Sequence, residues 1–217
     1  MDCRLGMGVL VRGIEEILDR PYSAIPSLIR CYPMHLSKQR FFIALVAPDD
    51  IQEQITEIKL YFADRYNSRG ALNSPPHITL QPPFERPAAD VAQLEESLRA
   101  FTANRLPIPV TLSGFAAFAP RVIYADIVKS PQLLEMQTDL MSYVAANLGI
   151  VDRISQTRPF VPHMTVAFRD LTEENFQTAW LEFAARELHF QFTAAALTLL
   201  LHDGSRWNIS QQFPLGA

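Results

Sequence analysis

Two short phrases hold the residues that could do chemistry: Pro76-His77-Ile78-Thr79-Leu80 and Pro162-His163-Met164-Thr165-Val166. Each is a proline, a His-x-Thr and an apolar residue. In a strand, residues two apart point to the same face. His77 therefore presents its imidazole beside the hydroxyl of Thr79, and His163 does the same with Thr165. Two such pairs facing each other across a cleft supply two titratable groups and two neutral hydrogen-bond donors. That set suits general acid–base chemistry on a phosphodiester. Imidazole is the side chain whose ordinary pKa lets one copy act as base and the other as acid near neutrality. The chain has five histidines and eleven threonines in 217 residues. Two His-x-Thr hits are then expected by chance only about 2–3% of the time, and the matched prolines lower that further.

The bulk properties restrict the setting. A chain of 217 residues has room for a substantial core. Hydrophobic residues make up 48% and charged residues 19%, as in a folded globular protein rather than a disordered one. The formal charge of −4 argues against broad, nonspecific affinity for nucleic acid. Cys3 and Cys31 lack metal-type spacing and give no disulfide framework, which favours a reducing, cytoplasmic compartment. No apolar run is long enough to span a membrane. A monomer is expected.

The elements that must position the motifs can be read in order. Residues 1–33 differ from the rest. Val9-Ile14-Ile17-Leu18 suits a short amphipathic helix, and Pro21, Pro26 and Pro33 then break the chain. The expectation is a peripheral extension ahead of a natural start at Met34, with one domain over 34–217. Phe41 to Ala47 reads as a central strand buried on both faces. Pro48-Asp49-Asp50 opens a helix with Asp near its N-cap. Strand 77–81 follows and ends at Pro82-Pro83. A second helix runs from about Ala88 to Phe101, and a strand from Ile108 to Phe118 with Gly114 as a bulge. The pattern then restarts. Strand 121–128 leads to a helix with Ser130 as N-cap, Pro131 at its first position and Gly149 at its end. The second motif strand follows, then a helix from Thr172, a long strand from His189 to Leu201, a turn at Asp203-Gly204 and a last strand from Arg206 to Phe213.

The order strand, helix, His strand, helix, strand thus occurs twice. It predicts an α+β fold of two intertwined lobes, about 40–120 and 121–213. Antiparallel sheets would surround a central cleft about a pseudo-twofold axis, with helices outside.

These features resemble the two-histidine phosphoesterases, also called 2′-5′ RNA ligase-like or LigT-like proteins. The resemblance rests on Phe41-Phe42-Ile43-Ala44-Leu45 before a helix, the strand Val122–Ile127, and the two motifs. It covers roughly Lys38 to Phe213. It implies metal-independent chemistry without a cofactor on 2′,3′-cyclic phosphates or 2′-5′ phosphodiesters of nucleotides or RNA ends. It gives His77 and His163 the catalytic roles and Thr79 and Thr165 the phosphate contacts. Where many ligase-like members continue with aromatic-Leu-Gly, this chain has Gln81-Pro82-Pro83-Phe84, a departure where the nucleoside would be chosen.

Other residues are weighed against plainer roles. Phe84, Tyr124 and Phe168 are candidates to stack on a base, against core packing. Arg158 and Arg169 flank the second motif and are candidates for phosphate contact. His35, His189 and His202 read as surface residues. Zinc held by His77, His163 and Asp126 is the rival chemistry, weakened because no third ligand has motif spacing. An RNA ligase running the reaction in reverse, and a non-catalytic binder of nucleotides or RNA ends, are the alternatives. Which histidine is acid and which is base stays open.

Overall fold

The computed structural model describes residues 37–154 and 157–216. The readings for residues 1–33, Met34 and His35 lie outside the described residues.

Strand β1 (Lys38–Val46) occupies the middle of its sheet, and its apolar run Phe41–Leu45 is buried. Helix α1 (Asp49–Tyr66) follows. Pro48 holds the N-cap position, and its carbonyl accepts from Ile51 N at 3.1 Å and Gln52 N at 2.9 Å. Asp49 and Asp50 fall in the first turn, where their charge meets the positive end of the helix dipole. Asn67, at φ 51°, ends the helix in the left-handed conformation that asparagine tolerates.

Strand β2 (His77–Pro87) does not end at Pro82-Pro83; it runs through both. The reason is position. β2 pairs only with β1 and forms the edge of its sheet, so a proline lacking an N–H breaks no second ladder. The register slips where the prolines enter. Helix α2 (Val91–Thr102) starts later than expected, after a short 3₁₀ turn at Ala88–Asp90. Strand β3 (Ile108–Phe118) carries its bulge at Gly114, whose φ of +71° needs a residue without a side chain. Strand β4 (Val122–Ile127) leads to helix α3 (Pro131–Leu148). Ser130 Oγ caps α3 by accepting from Leu133 N at 3.3 Å, and Gly149 closes it at φ 63°. Strand β5 (His163–Ala167) and helix α4 (Glu173–Phe183) follow, α4 capped by Thr172.

The single long strand expected over 189–201 is two strands. The chain breaks at Ala195, and β6 (His189–Ala194) and β7 (Ala196–His202) enter different sheets. Strand β8 (Trp207–Pro214) pairs with β7 across a turn in which the Asp203 carboxylate accepts from the backbones of Ser205 and Arg206. The sheets have orders β2-β1-β7-β8 and β5-β4-β3-β6, with every pair antiparallel. Neither sheet is built from one half of the chain, so lobes divided at residue 120 do not match them. β3, from the first half, completes the sheet of β4 and β5. β7, from the second half, completes the sheet of β1 and β2.

Candidate active site

Each motif occupies an edge strand, β2 in one sheet and β5 in the other, and the two strands lie against each other. Over the first five residues both strands show the same alternation: His and Thr are half-buried, and the residues between and after them are buried. Ile78, Leu80, Met164 and Val166 anchor the strands in the core and leave His77, Thr79, His163 and Thr165 on the accessible faces.

The same local device orients both imidazoles. Nδ1 of His77 lies 2.6 Å from the carbonyl of Pro75, and Nδ1 of His163 lies 2.7 Å from the carbonyl of Val161. A carbonyl only accepts, so each Nδ1 carries the proton and each neutral ring keeps its free electron pair on Nε2. Aromatic rings back each histidine. Phe42 lies 4.7 Å from His77, and Tyr124 and Phe118 each lie 5.1 Å from His163, between ring centres.

Burial sets the electrostatics. Desolvation lowers His77 to a pKa of about 4; the nearby charges of Lys59 and His163 push the same way, and the Pro75 carbonyl opposes them. Desolvation also holds His163 below the usual imidazole range, opposed by the Val161 carbonyl and the carboxylate of Asp126. Lys59, on α1, is almost fully buried, which lowers its amine to about 7.

Beside the motifs opens a cavity of about 1090 Å³, lined by Thr79 of β2 and His163 of β5. Leu80, Phe118, Met141 and Phe160 contribute apolar wall, and Lys129 and Arg158 contribute positive charge. None of the described residues lining it is acidic. Such a space admits a flat, weakly polar group joined to an anion. His77 and Thr165 do not line this cavity; they stand beside Thr79 and His163 on the same strand faces.

The secondary candidates separate. Arg158 lines the cavity. Tyr124 is only 5% exposed and packs on the His163 ring, so it supports the imidazole instead of presenting a face to a base. Phe84 packs against the core, 6.1 Å from Phe41 between ring centres, and is not a cavity residue. Phe168 is exposed away from the cavity lining, with the Arg169 guanidinium 5.3 Å above its ring. His189 is exposed, as expected, whereas His202 is half-buried and packs edge-on against Trp207. Asp126 pairs directly opposite His163, yet among the described residues no group of three or more His, Cys, Asp or Glu gathers.

Sequence reasoning missed Phe42, Phe118 and Lys59. The rings read as ordinary strand core. Lys59 had a signal: it falls between Ile55 and Phe62 on the apolar stripe of α1, where a charge is out of place. Asp170 was missed too. Its carboxylate, just after β5, accepts from Ser68 Oγ at 2.9 Å, Arg69 N at 2.5 Å and Gly70 N at 2.7 Å, in the loop before β2.

The chain is similar to several known proteins. A Geobacillus kaustophilus protein named "Putative phosphoesterase" is 29% identical over 181 residues, covering 82% of this chain and 96% of its own. A Geobacillus thermodenitrificans protein of the same description is 30% identical over 159 residues, 71% of this chain and 86% of its own. Among solved structures, Escherichia coli LigT complexed with 3′-AMP matches with a TM-score of 0.61 at 22% identity, covering 83% of this chain and 99% of LigT. A Thermus thermophilus protein matches with a TM-score of 0.59 at 20% identity, covering 81% of this chain and 97% of its own. These two likenesses establish the fold. The model of the 2′-5′ RNA ligase superfamily matches residues 47–206, and the chain belongs to that superfamily.

Proposed function

We propose that the protein is a metal-independent phosphodiesterase acting on 2′,3′-cyclic phosphate or 2′-5′ phosphodiester bonds of nucleotides or RNA ends. The observation that carries this reading is the paired orientation of His77 and His163. Each Nδ1 is engaged by a backbone carbonyl two residues earlier, which leaves each Nε2 free to exchange a proton. One Nε2 removes a proton from water as its oxygen attacks phosphorus. The other delivers a proton to the departing ribose oxygen. Each such transfer contributes about 10²–10⁴-fold. The Thr79 and Thr165 hydroxyls donate to the nonbridging oxygens, where charge builds up. Lys129 and Arg158 favour an anion in the adjoining cavity. The structure of E. coli LigT with 3′-AMP, a nucleotide, supports a nucleotide substrate for this chain as well. Two imidazoles and two hydroxyls supply acid, base and oxyanion contacts, so no metal enters the mechanism. The reducing cytoplasm suits a chain with two unspaced cysteines.

The test is a turnover screen of nucleoside 2′,3′-cyclic phosphates and 2′-5′ dinucleotides in the presence of EDTA. His77→Ala and His163→Ala should each reduce turnover of the best substrate by at least ~10²-fold, and the double mutant should lose little more. Thr79→Ala and Thr165→Ala should cost about 10–100-fold. Near-normal turnover without either imidazole, or activity abolished by chelation and restored by zinc, would refute the reading.

A further inference from the structure

The proposed chemistry leaves two cations without a task of their own. The scissile phosphate is served by the two imidazoles and the two threonine hydroxyls. Lys129 and Arg158 line the adjoining cavity, which meets that set at Thr79 and His163. They come from separate parts of the chain, Lys129 from the connection between β4 and α3 and Arg158 from the loop before β5. Neither has an ion-pair partner among the described residues, and none of those lining the cavity is acidic. Like charges gathered without a counter-charge repel, and a bound anion relieves that repulsion.

Hydrogen-bonded turns hold both cations at the cavity. Val128 N donates to the carbonyl of Thr111 at 2.9 Å, and Ser130 N donates to that of Val128 at 2.9 Å, which fixes the backbone on each side of Lys129. Thr157 donates to the carbonyl of Ile154 through N at 3.1 Å and through Oγ1 at 2.9 Å, directly before Arg158. Lys129 also precedes the N-cap of α3, whose first turn holds no acidic residue, so the positive end of the helix dipole adds to its charge. At about 1090 Å³ the cavity lies just above the range of about 300–1,000 Å³ of small-molecule sites. It has room for a nucleoside between the phosphate at the histidines and a second anion, and the Phe118 and Phe160 rings in its wall suit the base.

We propose that Lys129 and Arg158 form a second anion subsite, which takes a phosphoryl group on the 5′ oxygen of the nucleoside whose 2′ or 3′ phosphate lies at the histidines. The assignment rests on the phosphodiesterase reading and narrows its substrate class. The favoured substrate is phosphorylated on the 5′ side, either as a nucleotide with a terminal 5′-phosphate or as an RNA end whose last nucleoside is linked through its 5′ oxygen. The Arg158 guanidinium suits two parallel N–H contacts to such a group, and the Lys129 ammonium acts as a point charge. Both are specificity residues and take no part in proton transfer.

Calorimetric titration of the full chain in EDTA tests the subsite apart from turnover. Adenosine 3′,5′-bisphosphate should bind at least ~10-fold more tightly than adenosine 3′-monophosphate. Lys129→Gln and Arg158→Gln should each remove most of that gain and leave the monophosphate within about twofold, while Arg158→Lys should keep part of it. A third ligand, the adenosine dinucleotide with a 3′-phosphate, separates the two sources. A gain with the bisphosphate alone marks a terminal 5′-phosphate as the occupant; a gain with the dinucleotide marks the linkage of an RNA end; both uphold the subsite. On a substrate that turns over, the two Gln variants should raise KM for the 5′-phosphorylated form and leave kcat in place. No gain with either 5′-phosphorylated ligand would overturn the proposal. So would variants that weaken monophosphate and bisphosphate alike, because the cations would then serve the phosphate at the histidines. A gain lost in the variants, without turnover of any phosphodiester, would refute the phosphodiesterase reading and leave the subsite standing; turnover without the gain would refute the subsite alone.

Discussion

His77 and His163 reach the same tautomer by the same means, a carbonyl two residues upstream. Their titrations differ, and that has a kinetic consequence. One ring must be neutral and the other charged, so activity should rise with pH through one histidine's pKa and fall through the other's; that of His77 is about 4. Burial holds that of His163 below 6.5 as well. The profile of kcat/KM, which reports the free enzyme, should be a bell centred on the acid side of neutrality. Profiles on a cyclic phosphate from about pH 3.5 to 9 would check this. The same groups affect stability. His77 binds a proton at 6.5 when unfolded and at about 4 when folded, so stability is lost as pH falls through that window. Lys59 does likewise between 10.5 and about 7. Melting temperature should therefore decline on acidification across both windows. Lys59→Met should flatten the alkaline one, as read by thermal denaturation at a series of pH values.

The elements hold these side chains through local chemistry that the chain spells out. Alternation in β2 and β5 sends each His and Thr to one face and the core residues to the other. Ser130 caps α3, whose Gln137 and Met141 line the cavity. Ser130→Ala should cost about 1 kcal/mol and lower the melting temperature while leaving kcat/KM near wild type. At Gly114 no atom lies within 4 Å of where a Cβ would sit, so Gly114→Ala meets only backbone strain. At φ +71° that strain should cost about 1–2 kcal/mol. Chemical denaturation of each purified variant would measure both losses. β2 was misread because the rule that proline ends a strand assumes two neighbours, and an edge strand has one.

Across the whole molecule, each sheet takes strands from both halves of the chain. Asp170 strengthens that union by tying the segment after β5 to the Ser68–Gly70 loop before β2. Asp170→Ala leaves three donors without their acceptor; the buried one, Ser68, accounts for a loss of about 1–3 kcal/mol. Because those donors precede His77, it should lower kcat/KM together with the melting temperature, unlike Ser130→Ala. Residues 1–33 are proposed to be peripheral; the described residues 37–154 and 157–216 belong to one compact unit. Deleting residues 1–33 should leave a folded protein with an unchanged melting temperature and turnover, and failure to fold would refute that reading.

Sequence alone determined the two motifs, their strand alternation, the order of elements and most helix ends. Each depends on residues within a few positions of one another, as in Ser130-Pro131 or His163-Met164-Thr165. Only the tertiary structure decided the rest. The break at Ala195 follows from two sheets competing for adjacent segments, 189–194 and 196–202, and no local pattern marks it. Phe84 and Tyr124 could be assigned only after packing filled one side of each ring. The fields around the two histidines are long-range as well. Lys59 precedes His77 by about two helix turns, a loop and a 3₁₀ turn, and Asp126 meets His163 only through strand register. Local pattern names the groups that can move protons; the charges that bias each one come from residues that folding brings near.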